Sequence, residues 1–126
     1  MEGSGQVAEV ARKNLAGLGL DVEVLEGNFD GVLPGLLKRI GPVDLAFVDG
    51  NHRREPTLAY FEQLMGNMGE KAIIIFDDIH WSAEMEEAWG IITRDPRVYL
   101  TVDLFFIGIV FLREEFRVKQ NFTIRY

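Results

Sequence analysis

Val43-Asp44-Leu45-Ala46-Phe47-Val48-Asp49, running on into Gly50-Asn51-His52, is the stretch that decides the fold. Its near-continuous apolar run is short for a helix and is bounded by Gly41-Pro42 and Gly50, so it reads as a strand buried on both faces. It ends in a carboxylate, an amide and an imidazole. The pattern then recurs: Ala72-Ile73-Ile74-Ile75-Phe76 runs into Asp77, Asp78 and His80. In a parallel sheet with helical crossovers both polar endings fall on the carboxyl edge, where α/β proteins bind ligands.

Working outward, the chain alternates. Val7, Val10, Ala11 and Leu15 recur at helical spacing, with Gly17 and Gly19 to stop the helix. Asp21–Leu25 alternates like a short strand. Asn28 or Asp30 can cap a helix striped by Leu33, Leu36, Leu37 and Ile40. After the central strand, 53–68 reads as a helix with Leu58, Phe61, Leu64, Met65 and Met68 on its core face, and 71–76 as the next strand. Ser82 caps a helix carrying Met85, Ala88, Trp89 and Ile92, which Asp95-Pro96 breaks. Val98–Leu104 and Phe106–Leu112 should pair as an antiparallel hairpin. Beyond Arg113-Glu114-Glu115, Phe122–Tyr126 alternates as an edge strand. The expected architecture is one α/β domain over 1–126: a Rossmann-like, partly parallel sheet with a carboxyl-terminal antiparallel hairpin, flanked by helices.

The totals bound the partners. In 126 residues, 48% hydrophobic and 26% charged content is that of a globular chain, and the absence of cysteine rules out disulfides and thiolate chemistry. No apolar run approaches the roughly 20 residues of a membrane span, and no signal-peptide pattern opens the chain, so a cytoplasmic protein is expected. A net charge of −7 argues against nucleic acid as a partner.

With two acidic strand ends and a closing hairpin, the chain resembles the class I S-adenosylmethionine-dependent methyltransferases, most of all the small-molecule O-methyltransferases of the catechol and caffeoyl-CoA type. QVAEVARKNLAGLGL is similar to the family's second helix, VEVLEGN to its third strand, VDLAFVDGNH to the fourth strand and its loop, and AIIIFDDIHW to the fifth. DLFFIGIVFLRE resembles the inserted antiparallel seventh strand. The resemblance implies roles residue by residue. Glu2 falls on the acid that holds the ribose hydroxyls, and Asn28 and Phe29 on the turn that touches the adenine. Asp49 falls on a metal-binding acid at the cofactor edge, and His52 on the position of a catalytic base. Asp77 and Asp78 fall on two more metal ligands, with Asp78 standing where the family has an amide. Implied cofactors are S-adenosylmethionine and Mg²⁺ or another divalent metal, and the implied partner is a small-molecule methyl acceptor.

The family's first strand and Gly-rich loop would lie before Met1, and Gly3-Ser4-Gly5, with no strand ahead of it, is not that loop. The resemblance therefore implies an amino-terminally truncated form, inactive alone. Without the missing strands, Val43–Val48 would have a bare apolar edge, to be filled by Asp21–Leu25 or, as favoured here, by a second copy in a homodimer. The alternative function is a non-catalytic, self-associating remnant; a metal-dependent hydrolase lacks a nucleophile motif. Plain readings compete at each residue: Asp49, Asp77 and Asp78 as caps or solvated acids, His52 as an idle loop histidine, His80 and Trp81 as packing and lid residues, and Arg53-Arg54 as a solvated turn.

Overall fold

The computed structural model describes residues 1–113 and 115–125. The chain divides into two compact units, residues 1–40 and 41–126. In the first, α1 (Gly5–Gly17) and α2 (Phe29–Ile40) are the helices the periodicity predicts. The residue that α1 buries is Ala8, whereas Val7 and Val10 are exposed, so the inward stripe runs through Ala8, Ala11 and Leu15 instead. Leu33 and Leu37 are the buried pair of α2, and the Asn28 carboxamide starts that helix by accepting the Asp30 backbone N–H at 3.1 Å. The expected strand Asp21–Leu25 does not form. What the backbone makes there is an isolated parallel bridge between Glu2 and Glu26, with Glu2 N–H on the Leu25 carbonyl (2.9 Å) and Gly27 N–H on the Glu2 carbonyl (3.0 Å). Alternation over so few residues needs a neighbouring ladder to become a strand, and the sheet takes none from residues 1–40.

The second unit holds that sheet, five strands in the order β1-β2-β4-β3-β5. β1 (Val43–Val48) pairs in parallel with β2 (Met68–Phe76), with a shift of register between Val43 and Leu45. β3 (Leu100–Asp103) and β4 (Gly108–Phe111) make the expected hairpin, and β4 inserts antiparallel between β2 and β3. β5 (Gln120–Thr123) lies parallel to β3 at the edge, starting ahead of the expected tail strand; Tyr126 lies outside the described residues. Strand β2 begins at Met68, a residue expected in the preceding helix, because α3 (Arg54–Met65) stops at Gly66.

Crossovers α3 and α4 (Ala83–Arg94) contact each other, and Ala72, Ile74, Phe76, Thr101 and Val110 of the sheet are fully or almost fully buried. α3 contributes Thr57, Tyr60, Phe61 and Leu64, a stripe rotated from the expected one so that Leu58 and Met65 are only half-buried. α4 buries the predicted Met85, Ala88, Trp89 and Ile92, and the Ser82 hydroxyl caps it by accepting the Met85 N–H at 3.2 Å. Close packing is sharpest at Gly108, where a Cβ would stand 2.7 Å from the Trp89 ring and 2.9 Å from Ile79. No helix among the described residues is long and apolar enough to cross a membrane.

Candidate functional site

Strands β1, β2 and β3 run the same way and each is closed by an aspartate: Asp49, Asp77 and Asp103. The register Val48↔Phe76, extended by the Asp77 N–H on the Val48 carbonyl at 3.0 Å, sets Asp49 and Asp77 on one rim, as expected. The loops beyond these strands hold every described non-glycine residue with positive φ: Asn51 (66°), His52 (29°), Asp78 (54°) and Phe105 (72°). Left-handed backbone is costly for such side chains, most of all for a phenylalanine, and clusters where loops are held for a purpose.

Two imidazoles organise the rim. His52 stands between Asp49 (Nε2 to Oδ1, 3.3 Å) and Asp78 (Nδ1 to Oδ2, 3.7 Å). Its loop is tethered by the Asn51 amide, which donates to the Tyr60 hydroxyl at 2.9 Å. The second, His80, is gripped more closely. Its Nε2 lies 2.9 Å from Asp103 and its Nδ1 3.3 Å from Glu86, and its ring stacks on Phe105 at 5.5 Å between centroids. Burial pulls the His80 pKa down, but the hydrogen bonds to Asp103 and Glu86 outweigh it and the pKa is raised from its usual value. Burial pushes Asp103 up, and the hydrogen bonds from His80 and the Phe105 N–H bring it, on balance, below the usual carboxylate value. The Phe105 N–H reaches the Asp103 carboxylate at 2.9 Å, which closes the tight turn of the hairpin.

The divalent metal implied by resemblance finds no ligand set here. Asp49 and Asp78 are drawn toward His52, and an Asp77 oxygen accepts the Asp78 backbone N–H at 3.1 Å. Among the described residues no group of three His, Asp or Glu side chains stands together in a way that would hold an ion. Asp49, Asp77 and Asp78 share a rim but do not fit a metal.

In the first unit, Glu2 and the Asn28-Phe29 turn are brought close by the Glu2–Glu26 bridge. One Glu2 carboxylate oxygen accepts the Ser4 N–H at 2.8 Å, and a carboxylate so held keeps further acceptor capacity for a hydroxyl donor. That arrangement fits a ribose contact.

Sequence reasoning missed Asp103 and Phe105 and took His80 for packing. The available signal was Asp103 itself, a third acidic strand end repeating the pattern of Asp49 and Asp77; it was masked because the apolar runs on either side read as one hairpin.

Comparison with known proteins agrees with this geometry. Residues 1–79 match a family model described as "Methyltransferase domain". No curated protein matches the chain. Among solved structures, it is similar to an O-methyltransferase from Bacillus cereus in complex with SAH (TM-score 0.69, 23% identity, 86% of this chain and 60% of that one). It is similar too to cofactor-bound Rv0187 from MTB (TM-score 0.75, 23% identity, 89% and 59%) and to the SAH-bound Podospora anserina methyltransferase PaMTH1 (TM-score 0.69, 16% identity, 87% and 57%). The chain thus spans 57–60% of the length of these structures, and at such identities the likeness speaks for the fold. The family match over more than half the chain, on a sheet whose inserted antiparallel strand and acidic rim agree with it, identifies this chain as a member of the methyltransferase-domain family.

Proposed function

We propose that this chain carries the acceptor-side portion of an S-adenosylmethionine-dependent methyltransferase that methylates an oxygen of a small molecule. The observation that carries the reading is the single rim on which β1 and β2 end in Asp49 and Asp77, within a methyltransferase-domain chain. Bound S-adenosylmethionine supplies a methyl group made electrophilic by its sulfonium. The residues here supply placement and a proton acceptor. Glu2 would accept hydrogen bonds from the ribose hydroxyls, and Asn28 and Phe29 would border the adenine. Asp49 orients His52. With one ring nitrogen turned to Asp49, the other, 3.7 Å from Asp78 and so beyond hydrogen-bond range of it, would take the proton of the acceptor hydroxyl. The attacking oxygen thereby gains its charge as its bond to the methyl carbon forms, and the departing electron pair stays with the sulfide. A cytoplasmic setting, with no nucleic acid and no membrane as partner, goes with this reading.

Calorimetric titration with S-adenosylmethionine tests it. Micromolar binding would remove the remnant reading, and in a form of the protein that turns over, His52→Ala should lower methyl transfer at least tenfold while cofactor affinity holds. No binding would overturn the proposal for this chain.

A second reading has its own support. Strand β1 is an edge of the sheet, and Leu45 (60%) and Phe47 (56%) on it are exposed. An open apolar edge favours pairing with another strand, so self-association into a homodimer is proposed as well, with or without catalysis. Scattering that reports a monomer across a wide concentration range would remove it.

A further inference from the structure

The two faces of the sheet are unlike. Followed through the pairing register across all five strands, one row reads Ala46, Ile74, Val110, Thr101 and Asn121. Its three central members are fully or almost fully buried. Helices α3 and α4 cover this side, with the Phe61 ring 6.3 Å from that of Phe76 and the Trp89 ring against Gly108. The alternate rows read Phe47, Ile75, Ile109, Val102 and Phe122, then Leu45, Ile73, Phe111, Leu100 and Gln120. Side chains alternate along a strand, so these two rows share the opposite face. All of them but Gln120 are apolar, none is charged, and none is buried.

Leu45, Phe47 and Phe122 each expose half of their surface or more. With the six partly buried residues beside them, the face offers apolar surface on the order of 600 Å², the top of the range for a patch on a monomer and most of the roughly 800 Å² that one partner buries in an ordinary interface. A helix is about 10 Å across and five strands span about 20 Å, so a single helix would leave half the face in water. A second copy of the chain presents a surface of equal width and equal apolar character, and sheets stack face to face about 10 Å apart. The net charge of −7 that would drive two copies apart is carried off this face.

We infer that two copies of this chain associate through the open face of the sheet, each presenting the same two rows to the other across a two-fold axis. The inference deepens the self-association reading and rests on it, but it puts the contact on the face of the sheet rather than along the edge of β1.

Sedimentation of the chain as it is, over a wide concentration range, should show a dimer. Phe122 is exposed and lies on the strand farthest from β1, so Phe122→Lys disturbs neither the core nor any pairing along the β1 edge. It should raise the dimer dissociation constant at least tenfold. Ile109→Lys, in the middle of the face, should do the same, and Ala59→Lys, on the exposed side of α3, should change nothing. Circular dichroism of each variant separates loss of contact from loss of fold. The outward amides of β1 should exchange with solvent as readily in the dimer as in the dilute monomer, since a face contact gives them no partner. A dimer that keeps its affinity in folded Phe122→Lys would overturn the inference, and protection of the β1 amides would then assign the contact to the edge. A monomer at every concentration would overturn the self-association reading and this inference with it.

Discussion

Residues 1–40 and residues 41–126 are built on different terms. The first unit buries Ala8, Leu33 and Leu37 and leaves Val7, Val10, Leu18, Leu20 and Val22 exposed. The second closes a sheet over Tyr60, Phe61, Ile74, Phe76, Ile79, Ile92, Val98 and Val110, all at 2% exposure or less. Apolar burial is the main stabilising term in folding, so global stability resides in the second unit. The first is held by few buried side chains, the Asn28 cap, a single backbone bridge and the exposed ion pairs Arg12–Glu26 and Arg39–Glu23, and belongs to the class of segments that open locally at low cost.

The contrast can be broken by substitution. Phe76→Ala, which removes a buried ring lying 6.3 Å from that of Phe61, should cost about 3–5 kcal/mol in denaturant unfolding and lower the whole transition. Gly108→Ala comes next. With Trp89 at 2.7 Å it forces a shift of β4 or of α4, costing about 1–3 kcal/mol, and Trp89→Leu in the same chain should recover part of the loss.

Smaller still is the ion network of Arg97, which joins Glu62 of α3 (2.6 Å) to Asp95 at the end of α4 (2.7 Å) and lies over the Phe61 ring. These groups are partly exposed, so Arg97→Ala should cost about 1 kcal/mol. The hydrogen bond from Arg97 holds the Asp95 carboxyl below the usual carboxylate value, against the opposing effect of burial. A lowered folded pKa means a contribution fully present above the unfolded value of 3.8 and lost as pH falls through the folded one. Asp95→Asn should therefore flatten the acid limb of the stability profile and leave stability at neutral pH less dependent on Arg97. Smallest of all, Val10→Ser in the first unit should shift stability by under about 0.5 kcal/mol. A larger loss there would show that the two units share one cooperative transition. Hydrogen exchange should rank the same way, with β2 and β4 slowest and residues 18–27 fastest.

Much of this was legible in advance, and unevenly so. Val43–Val48 and the isoleucine run before Asp77 announced themselves as strands by their near-continuous apolar runs, but the expected burial of the first on both faces fails: β2 buries Ala72, Ile74 and Phe76, whereas β1 leaves Leu45 and Phe47 exposed. The hairpin and the helix behind Ser82 were equally plain, since turn spacing and capping are local chemistry. Asp21–Leu25 misled for the converse reason: alternation is a necessary mark of a strand, and pairing depends on a partner elsewhere in the chain. At the site, the shared rim of Asp49 and Asp77 followed from crossover topology alone. The grip of Asp103 on His80 joins residues 23 positions apart across a hairpin whose register only coordinates supply. Likewise the metal expectation failed on geometry that composition does not encode, each carboxylate having a nearer claim on it.

Strand β5 runs alongside β3 in the same direction and so brings Thr123 and Arg125 to the cavity lined by His80, Glu86 and Asp103. A bulkier side chain at Thr123, which lines that cavity, would narrow it.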